Sequence, residues 1–172
     1  IIPCDLEADA IIEHVLQLGL AARHAHPLGD MIRADEGQAA LLAYFRNNVL
    51  HLFALPALLA CLVSHNRALS RERARQAIAG IYGLLRAELF LPWDPSELDA
   101  LIERTEASLA QRGLIVAEDG RGILRAPPPN TEAGPELHQL GEIIRPTLER
   151  QFLTLALLQH HGSGRLTRAD LE

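Results

Sequence analysis

The stretch from Ala39 to His65 most constrains what this chain can fold into. Apolar residues recur through it at helical spacing, and from Val49 onward they lie nearly all round the helix. A helix that is apolar on every side is buried, either in a protein core or in lipid. Crossing a bilayer takes about 20 apolar residues. Arg46, Asn47 and Asn48 leave only Val49 to Val63, and His51 and Pro56 lie inside that remainder. The stretch therefore reads as the central helix of a soluble domain, kinked at Pro56, where proline removes one helical hydrogen bond.

The flanking segments show a repeated pattern. Asp5 to Leu18 reads as a helix with Leu6, Ile11, Val15 and Leu18 on one face, acidic residues in its first turns and Gly19 at its end. Leu20–Arg23 and Met31–Ala34 then pair as short strands across a turn containing Pro27 and Gly29. Ser96 to Arg112 is a second such helix, ended by Gly113 and followed by strands Leu114–Ala117 and Gly122–Ala126. Gly19-Leu20 matches Gly113-Leu114, and Met31-Ile32-Arg33-Ala34 matches Ile123-Leu124-Arg125-Ala126. The expected fold is mostly α: a helical block with two winged-helix-like helix and β-hairpin units. Between them Ser70 caps a helix running to about Leu91, in which Gly80 and Gly83 suggest close helix contact. Pro127-Pro128-Pro129 opens an extended linker, and Leu137 to Gln159 reads as a last amphipathic helix bent at Pro146. This divides the chain into an N-terminal winged-helix-like unit (1–36), a helical core with the second such unit (37–126), a Pro-rich linker (127–135), and a C-terminal helix and tail (136–172).

Composition narrows the function. Hydrophobic content of 48% supports a packed core, but with aromatics at 4% that core must rest on Leu, Ile, Val and Ala. All 16 basic residues are Arg, and the net charge of −6 argues against a nucleic-acid binder. The helix before the second hairpin, where a winged-helix protein would read DNA, sets Asp94, Glu97, Asp99, Glu103 and Glu106 against Arg104 and Arg112. Phosphates would be repelled, so a protein-contact module fits better. Cys4 and Cys61 lack metal-ligand spacing and read as reduced thiols. His24-Ala25-His26 with Asp30, and His160-His161, fall short of a structural zinc set, so no metal and no cofactor is expected. The chain opens without Met and closes on Thr167–Asp170, a helix start without a body; it reads as a piece of a longer protein.

Three blocks, in this order, resemble a known family: Tyr44-Phe45-Arg46-Asn47-Asn48 running into Leu55-Pro56-Ala57-Leu58; Glu88-Leu89-Phe90-Leu91-Pro92-Trp93-Asp94; and Thr147-Leu148-Glu149-Arg150 leading into an apolar helix. Their combination resembles the C-terminal part of bacterial membrane-associated sn-glycerol-3-phosphate 1-acyltransferases. The resemblance implies a parent that transfers an acyl chain from acyl-carrier protein or coenzyme A to the sn-1 hydroxyl of glycerol 3-phosphate, in phospholipid synthesis at the cytoplasmic face of the inner membrane. That family uses a His-x-x-x-x-Asp motif in which His is the general base. None of the eight histidines here has Asp five positions later; His26 and Asp30 are one residue short. The family's glycerol-phosphate-binding blocks are also missing. The resemblance therefore implies a non-catalytic region, with no catalytic residue of its own and an N-terminal catalytic domain of the same parent as its partner.

Two residue sets are candidates for contact. Tyr44, Arg46, Asn47, Asn48 and His51 form a candidate domain interface; their plainer role is internal hydrogen bonding to loop carbonyls. Arg67, Arg71, Arg73 and Arg75 form the one basic cluster, read first as a solvated helix start. In the family setting it is also a candidate contact for anionic lipid or an acidic carrier protein. The competing reading is a free-standing winged-helix regulator or interaction scaffold.

Overall fold

The computed structural model describes residues 7–66, 68–162, 164–165, 167 and 169. It is mostly helical, with six α-helices and two small antiparallel sheets among the described residues. The chain divides into two compact units, one ending at Leu52 and the other beginning at Phe53.

The first unit opens with α1 (Ala8–Gln17). Its end follows the glycine logic of the sequence. Gly19 takes a left-handed φ of +67°. Its N–H donates to Leu16 O at 3.0 Å, and Leu20 N–H donates to Val15 O at 3.3 Å. This paired closure satisfies two of the last helical carbonyls. Strands β1 (Ala22–His24) and β2 (Met31–Arg33) follow, paired Ala22 with Arg33, Arg23 with Ile32 and His24 with Met31. No residue of α1 is buried and both strands are exposed throughout. Helix α2 (Glu36–Ser64) begins in this unit.

The second unit takes up α2 beyond Leu52 and continues with β3 (Leu69–Ser70), α3 (Arg71–Leu89), α4 (Leu98–Gln111), β4 (Val116–Glu118), β5 (Ile123–Arg125), α5 (Ala133–Glu142) and α6 (Arg145–His161). Here lies the core, and it is aliphatic as the composition requires. Ala54, Ala57, Leu58, Leu59, Ala60 and Val63 of α2 are buried, with Ile78, Tyr82 and Leu85 of α3 and Leu109 of α4. Leu55, Leu59, Ile78, Ile102 and Thr105 line a gap too small to admit a water molecule. Helix α2 is the one described helix long and apolar enough to cross a membrane. Its buried residues cluster from Leu50 to Val63, so that half is a core helix, as its all-round apolar surface predicts. It continues as helix through Pro56.

The second helix–glycine–hairpin closes as the first does. Gly113 has φ +71°, and the N–H groups of Gly113 and Leu114 donate to Ala110 O and Leu109 O, both at 2.9 Å. Here the apolar pair that accompanies this motif is formed, because Leu109 and Leu114 are both buried. The hairpin gains a third strand that the sequence reading does not contain: β3 pairs with β5, Leu69 opposite Leu124, giving the order β3-β5-β4. Two residues carry too little alternation to announce a strand.

Two expectations change, on Gly80 and Gly83 and on the C-terminal helix. The helix started by Ser70, whose hydroxyl accepts from Arg73 N–H at 3.2 Å, ends with Phe90 in a left-handed conformation. A side chain added at Gly80 or Gly83 would meet nothing within 4 Å, so neither marks a close contact. The close contact is at Gly141, where a Cβ would sit 2.9 Å from Cys61 Cα. The single bent C-terminal helix is two helices, broken at Ile143–Ile144. Pro146 stands in the first turn of α6, where its missing N–H has no helical partner to lose. The expected helix start at Thr167–Asp170 falls mostly outside the described residues, as do Cys4, Asp5, Leu6 and Arg67.

Candidate functional site

The N-terminal half of α2 carries the first candidate set, and its side chains face outward. Tyr44 is 61% exposed and Phe45 47%, with their rings edge to face at 6.0 Å between centroids. Arg46, Asn47 and Asn48 are exposed, and His51 is half-buried. The Arg46 guanidinium donates to Asn47 Oδ1 from Nη2 at 3.2 Å and from Nε at 3.4 Å. Asn47 is thus turned toward Arg46, not toward a loop carbonyl. The first unit also leaves Ile11, Leu18, Met31, Ile32, Val49 and Leu52 exposed.

The arginine cluster is partly consumed inside the second unit. Arg71 Nε donates to Glu106 Oε1 at 2.6 Å, across the α3–α4 contact, and Glu106 is largely buried. Arg75 pairs with Glu103 one turn earlier on α4. Arg73 is exposed, and Arg67 lies outside the described residues. The acidic side of α4 therefore holds α3, a pairing the sequence hides because the partners are 35 and 28 residues apart.

Elsewhere the titratable groups serve structure. Burial pushes the Cys61 thiol up, reinforced by the Glu142 carboxylate. His65 Nδ1 lies 2.8 Å from Cys61 O. Asp94 opens the turn before α4: it accepts from Ser96 N–H at 3.0 Å while Glu97 accepts from Asp94 N–H at 2.9 Å. Those bonds from Ser96 hold the Asp94 carboxyl below the usual range. Tyr82, buried in α3, donates its hydroxyl to Trp93 O at 3.0 Å. Among the described residues no three His, Cys, Asp or Glu side chains gather at metal-binding distance. The arrangement is suited to protein contact through exposed apolar faces.

Two features of the second unit have no counterpart in the sequence reading. Phe90 is 88% exposed, at φ +53°. Glu88, two residues earlier, is clamped by both Arg150 and Gln151 of α6.

Residues 2–172 match the family model described as glycerol-3-phosphate acyltransferase C-terminal region. A Pseudomonas putida protein named glycerol-3-phosphate acyltransferase is 39% identical over 168 residues, covering 98% of this chain and 20% of the relative. A Pseudomonas aeruginosa protein of the same name is 38% identical over the same length and coverage. The chain spans about a fifth of the length of these relatives. No solved structure matches it. With nearly every residue inside the family match, the chain belongs to the glycerol-3-phosphate acyltransferases, as their C-terminal region.

Proposed function

We propose that this chain is a non-catalytic part of a larger acyltransferase and that it holds and orients the catalytic part. The parent would transfer an acyl group from acyl-carrier protein or coenzyme A to the sn-1 hydroxyl of glycerol 3-phosphate, at the cytoplasmic face of the inner membrane. One observation carries the reading: the first unit leaves Ile11, Leu18, Met31, Ile32, Tyr44 and Phe45 exposed, with no buried residue in α1. A surface like this contributes only once a partner covers it, at roughly 25 cal/mol per Å². The relatives have about four-fifths of their length outside the matched region, and that remainder supplies the partner. Tyr44, Phe45, Arg46, Asn47 and Asn48 would lie at the interface, apolar rings beside polar groups that fix register.

The test is to produce this chain and the rest of its parent separately and measure their association. Phe45→Ser with Val49→Ser is expected to weaken binding at least tenfold, since truncating a central aromatic anchor costs more than about 1.4 kcal/mol. Equal binding by the double variant would overturn this use of the surface.

The order β3-α3-α4-β4-β5, with the sheet ordered β3-β5-β4, supports a winged-helix reading of the second unit. It favours protein contact over nucleic acid, because the helix that would enter a groove carries Glu103 and Glu106. For a membrane seat through the arginine cluster, Arg73 is the exposed member to test, since Arg71 and Arg75 are already paired with carboxylates.

A further inference from the structure

Phe90 is placed where the fold gains nothing from it. It ends α3 in a left-handed conformation (φ +53°) that L-residues adopt at a cost and glycine adopts freely. Its ring, 88% exposed, returns no burial to offset that cost. Beside it lies an open depression of about 430 Å³, lined by Gly83, Arg86, Ala87, Phe90, Leu91 and Pro95. Gly83 and Ala87 make its floor shallow enough for close backbone approach, and a Cβ at Gly83 would meet nothing. The Glu88 clamp fixes this end of α3 to α6 through Arg150 and Gln151. The next residue of α6 is Phe152, 70% exposed. From Phe152 to Leu158 that helix is apolar but for Thr154, which is half-buried, and Leu153, Leu155, Leu157 and Leu158 are exposed with Phe152.

We propose that Phe90, the depression beside it and the apolar end of α6 form a second docking surface, covered by the part of the acyltransferase outside this sequence. The inference rests on the proposed function and adds a contact separate from the first unit's face. Lipid is the weaker occupant for three reasons. The apolar part of α6 is seven residues, about 10 Å of helix, against a hydrocarbon core of about 30 Å. A helix lying in the bilayer interface keeps a strongly charged face toward water, and this segment carries no charge, its one polar residue being the half-buried Thr154. Entering end-on would bring His160, His161 and the unsatisfied last carbonyls into hydrocarbon. A protein groove encloses such a segment without those costs, and the relatives' additional length provides one.

The experiment places a photo-crosslinking benzoyl-phenylalanine at position 90, at position 152, or at position 44 in the full-length parent. From 90 and 152 we expect crosslinked peptides from parent residues outside the present sequence. Phospholipid adducts, peptides from a second copy of this region, or no crosslink at either position would overturn the proposal. Position 44 reports separately on the first unit's face: a parent crosslink there with none at 90 or 152 defeats this inference and leaves the proposed function standing. A second readout uses Phe90→Gly. It is expected to raise the Tm of this chain alone by about 2–4 °C, by relieving the left-handed cap, and to lower the Tm of the full-length parent. A fall in both would mean that Phe90 serves this unit's own packing, which would also overturn the proposal.

Discussion

Replacing Gly141 with Ala tests the close crossing of α5 on α2. A Cβ at that position would lie 2.9 Å from both Cys61 Cα and Cys61 N and 3.3 Å from Ala60 carbonyl carbon. Carbon atoms pack comfortably at about 3.5–4.0 Å, so the methyl overlaps its neighbours by more than half an ångström. The neighbours are the backbone of α2, which cannot rotate away as a side chain can. Overpacking typically costs about 1–3 kcal/mol, and a rigid backbone obstacle places this site near the upper end. Alanine returns up to about 1 kcal/mol of helix propensity relative to glycine. The net loss is about 2 kcal/mol, which lowers Tm by about 4–8 °C in a chain of this size. Thermal melts followed by far-ultraviolet circular dichroism, with urea titrations alongside, measure it. Gly80→Ala and Gly83→Ala are the controls: both sites are open, so each gains up to about 1 kcal/mol. A Gly141→Ala chain as stable as the wild type would refute the α2–α5 crossing, and with it the packing of the second unit.

Other outcomes follow from single contacts. Leu59→Ala, at a core position only 1% exposed, is expected to cost about 2–5 kcal/mol in urea unfolding. Tyr82→Phe removes the bond to Trp93 O and should cost about 1 kcal/mol in the same assay. Glu106→Gln should destabilise more than Glu103→Gln, because Glu106 is 14% exposed and Glu103 65%; a double-mutant cycle with Arg71 isolates the pair. Asp94 has a depressed native pKa, so its stabilisation is present above the unfolded carboxylate range and is lost as pH falls through the native value. The stability gap between wild type and Asp94→Asn should therefore change only on acidification below about pH 4. Cys61, whose thiol burial pushes up, should react with a thiol reagent at pH 8 far more slowly in the native chain than in denaturant, measured in a Cys4→Ser background.

How much of this was legible follows from the range over which each signal acts. The glycine-ended helices and both hairpins are local: Gly19 and Gly113 sit two residues past the last residue of their helices, and each adopts the left-handed conformation that the motif requires. The family resemblance rests on short blocks in a fixed order, and it survives comparison. The polar set in α2 had two readings, a domain interface and internal hydrogen bonding to loop carbonyls, and Arg46, Asn47 and Asn48 are exposed, with Asn47 bonded to Arg46. Apolar spacing around Tyr44 and Phe45 describes a surface that will be covered and does not say by what. Long-range pairings were invisible. Glu103 and Glu106 looked like simple acidity against nucleic acid, yet they bind Arg75 and Arg71. Gly80 and Gly83 drew attention through helix propensity, while Gly141, near the end of α5, makes the contact. Propensity is a property of one helix, and close approach is a property of two.

The most direct test of the central claim is acyl transfer itself. This chain, purified alone, is given glycerol 3-phosphate with acyl-carrier-protein and coenzyme A donors, and formation of 1-acyl-glycerol 3-phosphate is measured beside the full-length parent. The account predicts no turnover by this chain and turnover by the parent, reduced by Phe45→Ser with Val49→Ser. Product formed by this chain alone would contradict it.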